Sequence, residues 1–269
     1  MRIIRVFPRR TKATPTDLYA YVGLPDFFVP ECDEVHISVT FTWDMKWAEA
    51  LVREWEQIAS ARLGGPATGM AGEEFEPGRY LRSGYTITSR GCPNRCWFCD
   101  VWKREGGIRE LPIRPGWNVL DSNLLACSES HVRSVFQMLR EQSEPVRLTG
   151  GLEAARLKDW HIDELLRLKF KTVYFAYDTP DDYEPLKVAA DKMREAGLIN
   201  RSHKIRCYVL IGYPWDSFDA AEKRLQAVCE LGLMPFAMLY RDRKGKRDEK
   251  WMAFRRLWYD PRMVGVRVN

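Results

Sequence analysis

With 269 residues, a net charge of +5 and 45% hydrophobic residues, the chain has the composition of a soluble globular protein with room for one large domain and an appendage. Its longest apolar runs fall far short of a membrane span, and the opening stretch 1–7 is too short and too interrupted by Arg2 and Arg5 to be a secretory signal. Seven cysteines, an odd number with three clustered, argue against a disulfide framework and for a reducing, cytoplasmic setting.

The chain opens with an arm. Residues 3–7 predict a strand, followed by a basic segment punctuated by proline (Pro8, Arg9, Arg10, Lys12, Pro15). Pro25 and Pro30 predict irregular structure after it. Residues 34–41 alternate and predict a strand. On that strand His36, a lone histidine, is expected to be packed or solvated rather than to bind a metal. Asp44 predicts the cap of a helix reaching about Ile58, with Trp47, Leu51, Trp55 and Ile58 on one apolar face. Ala61, Arg62 and Leu63 then lead into Gly64-Gly65-Pro66, and residues 67–83, with Gly69, Gly72, Pro77 and Gly78, predict a linker.

Residues 84–88 alternate β-formers and predict a strand that feeds the segment Ser89-Arg90-Gly91-Cys92-Pro93-Asn94-Arg95-Cys96-Trp97-Phe98-Cys99. Gly91, Pro93 and Asn94 force a loop there. It carries Cys92, Cys96 and Cys99 at the spacing Cys-x3-Cys-x2-Cys. Thiolates are ligands of iron–sulfur clusters and of zinc. A closed tetrahedral site needs a fourth protein ligand, but Cys32, Cys127, Cys207 and Cys229 each stand alone and the four histidines are distant in sequence. Three ligands to a four-iron cluster would leave one iron open. A structural zinc knuckle is the alternative for the same residues.

Five further strands are expected at 117–120, 146–149, 172–177, 204–211 and 234–240, four of them followed by helical patterns. Those patterns carry Val132, Val135, Phe136 and Leu139; then Ile162, Leu165 and Leu166; then Leu186, Val188, Ala190 and Met193; then Ala221, Leu225 and Val228. Ser217 is the expected cap of the last, and Gly197 and Gly232 are expected helix stops. Alternating β and α units imply a parallel sheet with helical crossovers, whose ligand-binding groups lie at the carboxyl ends of strands. That rule selects Asp121-Ser122-Asn123, Gly150-Gly151-Leu152-Glu153, Asp178 and Gly212-Tyr213-Pro214. Gly150 and Gly151 are expected to let backbone approach a ligand closely.

Cys92-x3-Cys96-x2-Cys99, with Phe98 before the last cysteine and a β/α-repeating chain behind it, resembles the cluster loop of radical S-adenosylmethionine (SAM) enzymes. The resemblance implies a partial (β/α)6 TIM-like barrel over 76–240 and a [4Fe-4S] cluster on Cys92, Cys96 and Cys99, with SAM chelating the open iron. It implies a reducing partner such as flavodoxin or ferredoxin, and hydrogen abstraction by a 5′-deoxyadenosyl radical. It also implies roles: Asp121, Ser122 and Asn123 toward the SAM amino group, Arg156 toward its carboxylate, Asp178 toward the ribose hydroxyls, and Phe98 and Gly212 near adenine. Gly150-Gly151-Leu152-Glu153 resembles the family's Gly-Gly-Glu motif, with an inserted leucine and one strand late. Simpler readings stand beside these. Asp121 and Asn123 would only end a strand, Glu153 and Arg156 would pair across a helical turn, and Asp178-Thr179-Pro180 would start a helix. Cys127 and Cys207 are expected to be buried and inert, the alternative being thiols that face the barrel interior and donate a hydrogen atom to a substrate radical.

Residues 34–66 resemble the tail of the cobalamin-binding domain that precedes the radical core in one subgroup. The rest of such a domain and its Asp-x-His-x-x-Gly motif are missing. Residues 1–75 are therefore expected to form a reduced α/β cap without a cobalamin site. Residues 241–269 form a basic, aromatic extension that includes Arg241, Arg243, Lys244, Lys246, Arg247, Trp251, Phe254, Trp258 and Tyr259. Such residues can contact phosphates and stack on bases. The spacing of Trp251, Phe254 and Trp258 favours an amphipathic closing helix packed on the core. The expected activity is radical chemistry on a nucleoside or nucleic-acid component. The alternatives are a small metabolite or peptide substrate, including cobalamin-assisted methylation, and a non-catalytic iron–sulfur or zinc protein that binds nucleic acid.

Overall fold

The structure is a computed structural model that describes residues 1–69, 74–200, 203–242, 244–245 and 248–258. It is an α/β protein with two parallel sheets. The first sheet holds β1 (Ile3–Phe7), β2 (Ala20–Val22), β3 (Glu34–Ser38) and β4 (Ala61–Gly64) in the order β2-β1-β3-β4, every pair parallel. Helix α1 (Met45–Trp55) crosses from β3 to β4 and covers one face. The apolar alternation of β1 and β3 puts Ile4, Val6, Val35 and Ile37 on that face, where they meet Ala48, Leu51 and Trp55.

Several expectations for this unit shift. Trp47 and Ile58 are exposed, and the buried stripe of α1 is Ala48, Leu51 and Trp55. The helix stops at Trp55, so Ile58 lies beyond it. Asp44 makes no side-chain cap. Its carboxylate instead pairs with Arg9, which binds the basic arm back onto the sheet. Strand β2, in the stretch expected to be irregular, is a three-residue edge held by β1.

The second sheet is built from β5 (Tyr85–Thr86), β8 (Asn118–Val119), β9 (Val146–Leu152), β10 (Phe170–Tyr177), β11 (Ile205–Ile211) and β12 (Met234–Leu239). Their spatial order is β12-β11-β10-β9-β8-β5, all parallel, which is their order along the chain. The crossovers carry α3 (Glu129–Arg140), α4 (Asp159–Leu166), α5 (Tyr183–Glu195) and α6 (Phe218–Glu230). Ser128 and Ser217 cap α3 and α6 by accepting backbone N–H bonds from His131 and Ala220. Apolar side chains of these helices and of β8–β12 form the large core, separate from that of the first sheet.

The expected strand at 84–88 shortens to Tyr85–Thr86. Tyr85 and Thr86 join the second sheet, whereas β6 (Ser89–Arg90) leaves it and pairs antiparallel with β7 (Arg109–Glu110). Between β6 and β7 lie the cysteine segment and helix α2 (Val101–Glu105), so the cysteines hang from a two-stranded ribbon rather than from a sheet strand. Strand β9 runs on through Gly150 and Gly151 to Leu152, with a register shift against β10 between Val173 and Phe175. Helix α7 (Glu249–Leu257) packs Trp251, Phe254 and Leu257 on the large core, and Trp258 behind it is fully buried. Arg243, Lys246, Arg247 and Tyr259 of the basic aromatic extension lie outside the described residues, as does Gly72 of the linker. Among the described residues no helix is long and apolar enough to cross a membrane.

The first core depends on Trp55, whose Nε1 donates to the carbonyl of Gly23 (3.0 Å) and whose ring meets Tyr21 edge-on at 5.1 Å. Trp55→Ala is expected to cost about 3–5 kcal/mol in urea denaturation followed by circular dichroism. Trp47→Ala, on the exposed side of the same helix, is expected to stay within about 0.5 kcal/mol of wild type.

Candidate functional site

The cysteine segment is anchored at both ends. Gly91 takes a left-handed φ of +81°, and a Cβ there would run into the carbonyl oxygen of Gly107. Its N–H donates to Glu105 Oε2 (3.0 Å), and the Cys92 N–H donates to the carbonyl of Gly106 (3.1 Å). At the other end the Cys99 N–H and Trp102 Nε1 both donate to the carbonyl of Cys96, at 3.2 and 3.1 Å. Cys92, Cys96 and Cys99 are free and half-buried. Burial, then the nearby Cys99 and Cys92, pushes the Cys96 thiol up to about 11, and burial raises Cys99. Among the described residues no group of three or more His, Cys, Asp or Glu side chains is gathered so that it could hold a metal ion. The donor chemistry of three thiols on one short loop fits a cluster with an open iron, while the thiols themselves are not converged.

Beside Cys92 stands a hydrogen-bonded chain of three residues selected from the sequence. Asn123 Nδ2 lies 3.5 Å from Cys92 Sγ and donates to Glu153 Oε2 at 2.6 Å; Arg156 Nε donates to the same oxygen at 2.7 Å. Asn123 Oδ1 is buried and has no hydrogen-bond partner. The expected pairing of Glu153 with Arg156 is thus present, and it is extended to the cysteine loop through Asn123.

The other selected residues lie elsewhere. Asp121 is 1% exposed and turns inward. Its carboxylate accepts from the Thr88 N–H (2.6 Å), Thr88 Oγ1 (2.6 Å) and Ser89 Oγ (2.7 Å), and burial raises its pKa against those hydrogen bonds. It fixes the approach to the cysteine loop, and its three hydrogen bonds all come from protein groups. Gly150 lies so close to the carbonyl of Asp121 that a Cβ would collide with it, so the close approach is to protein backbone. Ser122 faces the cavity between the two sheets. Asp178, at the end of β10, accepts from the Leu210 N–H (3.0 Å). Gly212 (φ +73°) donates its N–H to Asp216 Oδ2 (2.8 Å) and lies under Leu239 and Trp251, so its missing side chain serves packing against α7. Phe98 meets Trp97 edge-on at 5.3 Å. Cys207 is fully buried in the large core, as expected, whereas Cys127 is only partly buried against it. His36 is engaged at both ring nitrogens, by Tyr80 Oη (2.5 Å) and Glu34 Oε2 (3.0 Å).

Sequence reasoning missed an aromatic cluster. Trp97, between the last two cysteines, meets Trp215 at 4.5 Å, Tyr213 at 5.4 Å and Tyr240 at 5.8 Å between ring centroids. Tyr213 and Trp215 follow β11, and Tyr240 follows β12. Six strands laid flat would separate the sheet's two edges by roughly 24 Å. The cysteine loop leaves near the β5 edge and touches groups beyond β11 and β12, so it lies over the carboxyl ends of the strands. The signal available was the run Gly212-Tyr213-Pro214-Trp215, which holds two large aromatics in a turn.

No family model matches the chain, and no curated protein is significantly similar to it in sequence.

Asp178 offers a test by pH. Burial, then the charge of Asp182, pushes its carboxyl from 3.8 up to about 7. Between those values the folded protein keeps a proton that the unfolded chain has released, so stability falls as pH rises through that window. Asp178→Asn keeps an acceptor for the Leu210 N–H. It is expected to remove a slope of up to about 1.4 kcal/mol per pH unit from urea-denaturation free energies measured across the window. An unchanged slope would show that Asp178 ionises normally.

Proposed function

We propose that the protein is a radical SAM enzyme. In this reading residues 76–240 form a partial (β/α)6 barrel, residues 1–75 a reduced α/β cap without cobalamin, and residues 241–269 an extension on the core. Cys92, Cys96 and Cys99 would hold a [4Fe-4S] cluster. The observation that carries the reading is the hydrogen-bonded chain Asn123–Glu153–Arg156 beside Cys92, with Asn123 Oδ1 buried and unpartnered. Two further observations support it. The six parallel strands follow their chain order, and the cysteine loop lies over their carboxyl ends, where β/α folds place their chemistry.

The cluster and SAM, when bound, supply one-electron cleavage of the sulfonium and a 5′-deoxyadenosyl radical. The chain's own residues bind and orient. Three thiols on one loop leave one coordination position without a protein ligand. Asn123 Oδ1 and the Glu153 carboxylate are acceptors for an ammonium group, and Arg156 balances Glu153 while keeping donors for a carboxylate. Trp97, Tyr213 and Tyr240 form an aromatic cluster at the cysteine loop. A flavodoxin or ferredoxin would deliver the electron. The proposed substrate class is a nucleoside or nucleic-acid component, supported by exposed Arg10 and Lys12 on the arm and by exposed Trp97 and Trp215 beside the loop.

The test is anaerobic. Protein reconstituted with iron and sulfide is given SAM and dithionite, and 5′-deoxyadenosine is measured by mass spectrometry. Wild type is expected to form it and Cys96→Ala to form none. Glu153→Gln is expected to raise the KM for SAM by roughly tenfold or more, with the iron content unchanged. A fully iron-loaded wild type that yields no 5′-deoxyadenosine, with or without nucleosides, would sink the reading.

A further inference from the structure

The two sheets turn their carboxyl ends toward a shared cavity of about 490 Å³. The ends of β3 and β4 contribute His36, Ser38, Leu63 and Gly64, and the chain after β5 and β8 contributes Ile87, Arg90 and Ser122. Its volume falls in the range of small-molecule sites, roughly 300–1,000 Å³. Most of its wall is apolar, including Ile37, Leu63, Phe75, Leu81, Ile87 and Leu120.

The charged groups of the wall are not equivalent. Arg62 donates to Glu34 at 2.6 Å, and His36 is held by Glu34 and Tyr80. Glu74 and Glu76 are exposed, Glu76 being paired with Arg79 at 2.8 Å. Glu105 has spent one oxygen on the Gly91 N–H, and the other stays 3.8 Å from Arg90, beyond hydrogen-bond range. Arg90 is the exception. Its side chain is 13% exposed, and its Nε is buried with no hydrogen-bond partner. A buried guanidinium edge without an acceptor is costly, and a planar anion that takes both its N–H groups removes that cost.

We infer that this cavity binds a small organic anion, with an apolar or planar body against Leu63, Ile87 and Leu120 and a carboxylate or phosphate on Arg90. The inference rests on the proposed function only in taking this anion for the substrate. Arg90 immediately precedes Gly91 and the cysteine loop, so the occupant would lie at the foot of that loop. Binding at the cavity needs neither cluster nor SAM, and is read separately from SAM cleavage.

The probe is the fluorescent sulfonate anilinonaphthalenesulfonate, titrated into the full-length protein. It is expected to saturate at one site and to be displaced by indole-3-propionate, by adenosine monophosphate, or by both. Indole and adenosine, which lack the anion, are expected to compete roughly 10- to 100-fold more weakly. Competition by the carboxylate alone or by the phosphate alone identifies the anionic group. Arg90→Gln is expected to weaken the probe by a similar factor, and Leu63→Trp, which fills the cavity while keeping its charge, to abolish saturable binding. Should Arg90→Gln not fold, Leu63→Trp decides the location and the matched neutral compounds decide the charge. The inference is overturned by no saturable binding, by binding indifferent to Leu63→Trp or to a folded Arg90→Gln, by equal competition from adenosine and its monophosphate together with equal competition from indole and its acid, or by displacement with hydroxocobalamin alone.

Discussion

The carboxylate of Asp121 accepts three hydrogen bonds from Thr88 and Ser89, and the placement of the cysteine loop depends on them. Strand β5 gives the sheet only two residues, so its ladder alone holds the following chain weakly. Beyond it the backbone leaves the sheet and must still deliver Gly91 and Cys92 to a defined position. A carboxylate 1% exposed would cost several kcal/mol if its oxygens were unpaired. One backbone N–H and two hydroxyls offset that cost, and Thr88 Oγ1 lies within 3.3 Å of His131 Nε2 on α3. The carbonyl of the same Asp121 receives Gly150, whose lack of a side chain lets β9 approach. That approach brings Glu153 beside Asn123 and Asn123 beside Cys92. One buried acid thereby sets both sides of the candidate site.

The electrostatics of the loop follow from its burial. Cys96 and Cys99 are partly buried, and burial raises the cost of a thiolate at both. Thiols raised by burial and by one another are poor anions by themselves. They become good ligands when a cation supplies the missing charge. Glu153, shared between Asn123 and Arg156, keeps a counter-charge on the same oxygen that accepts from Asn123.

Much of this arrangement was readable in the chain because it follows period and punctuation. The five later strands and their helices were placed by apolar alternation and by Ser217, Gly197 and Gly232, all of which act locally. Asn123 and Glu153 were selected by one topological rule, that functional groups gather at carboxyl ends of strands, whereas Arg156 came from the resemblance. The rule could not tell Asp121 from Asn123. That choice turns on where Thr88 and Ser89, more than thirty residues earlier in the chain, meet this turn, and no local pattern records it. Ala48 and Trp47 both fall at helical spacing from Leu51 and Trp55, and only the packing on the first sheet buries Ala48. The meeting of Trp97 with Tyr213, Trp215 and Tyr240 spans more than a hundred residues of sequence, where no periodic pattern reaches. The inter-sheet cavity is likewise a product of two separate cores brought together.

The ribbon of β6 and β7 joins that cavity to the cysteine loop. Within three consecutive residues the chain passes from Arg90 on the cavity wall, through Gly91, to Cys92 beside Asn123. Gly91 cannot carry a side chain without displacing the backbone of Gly107, and Glu105 holds its N–H. The link is therefore made by backbone rather than by flexible side chains. Glu105 lies within Coulombic range of Arg90 while it holds the Gly91 N–H, so the charge on the cavity wall and the conformation of the loop share one carboxylate.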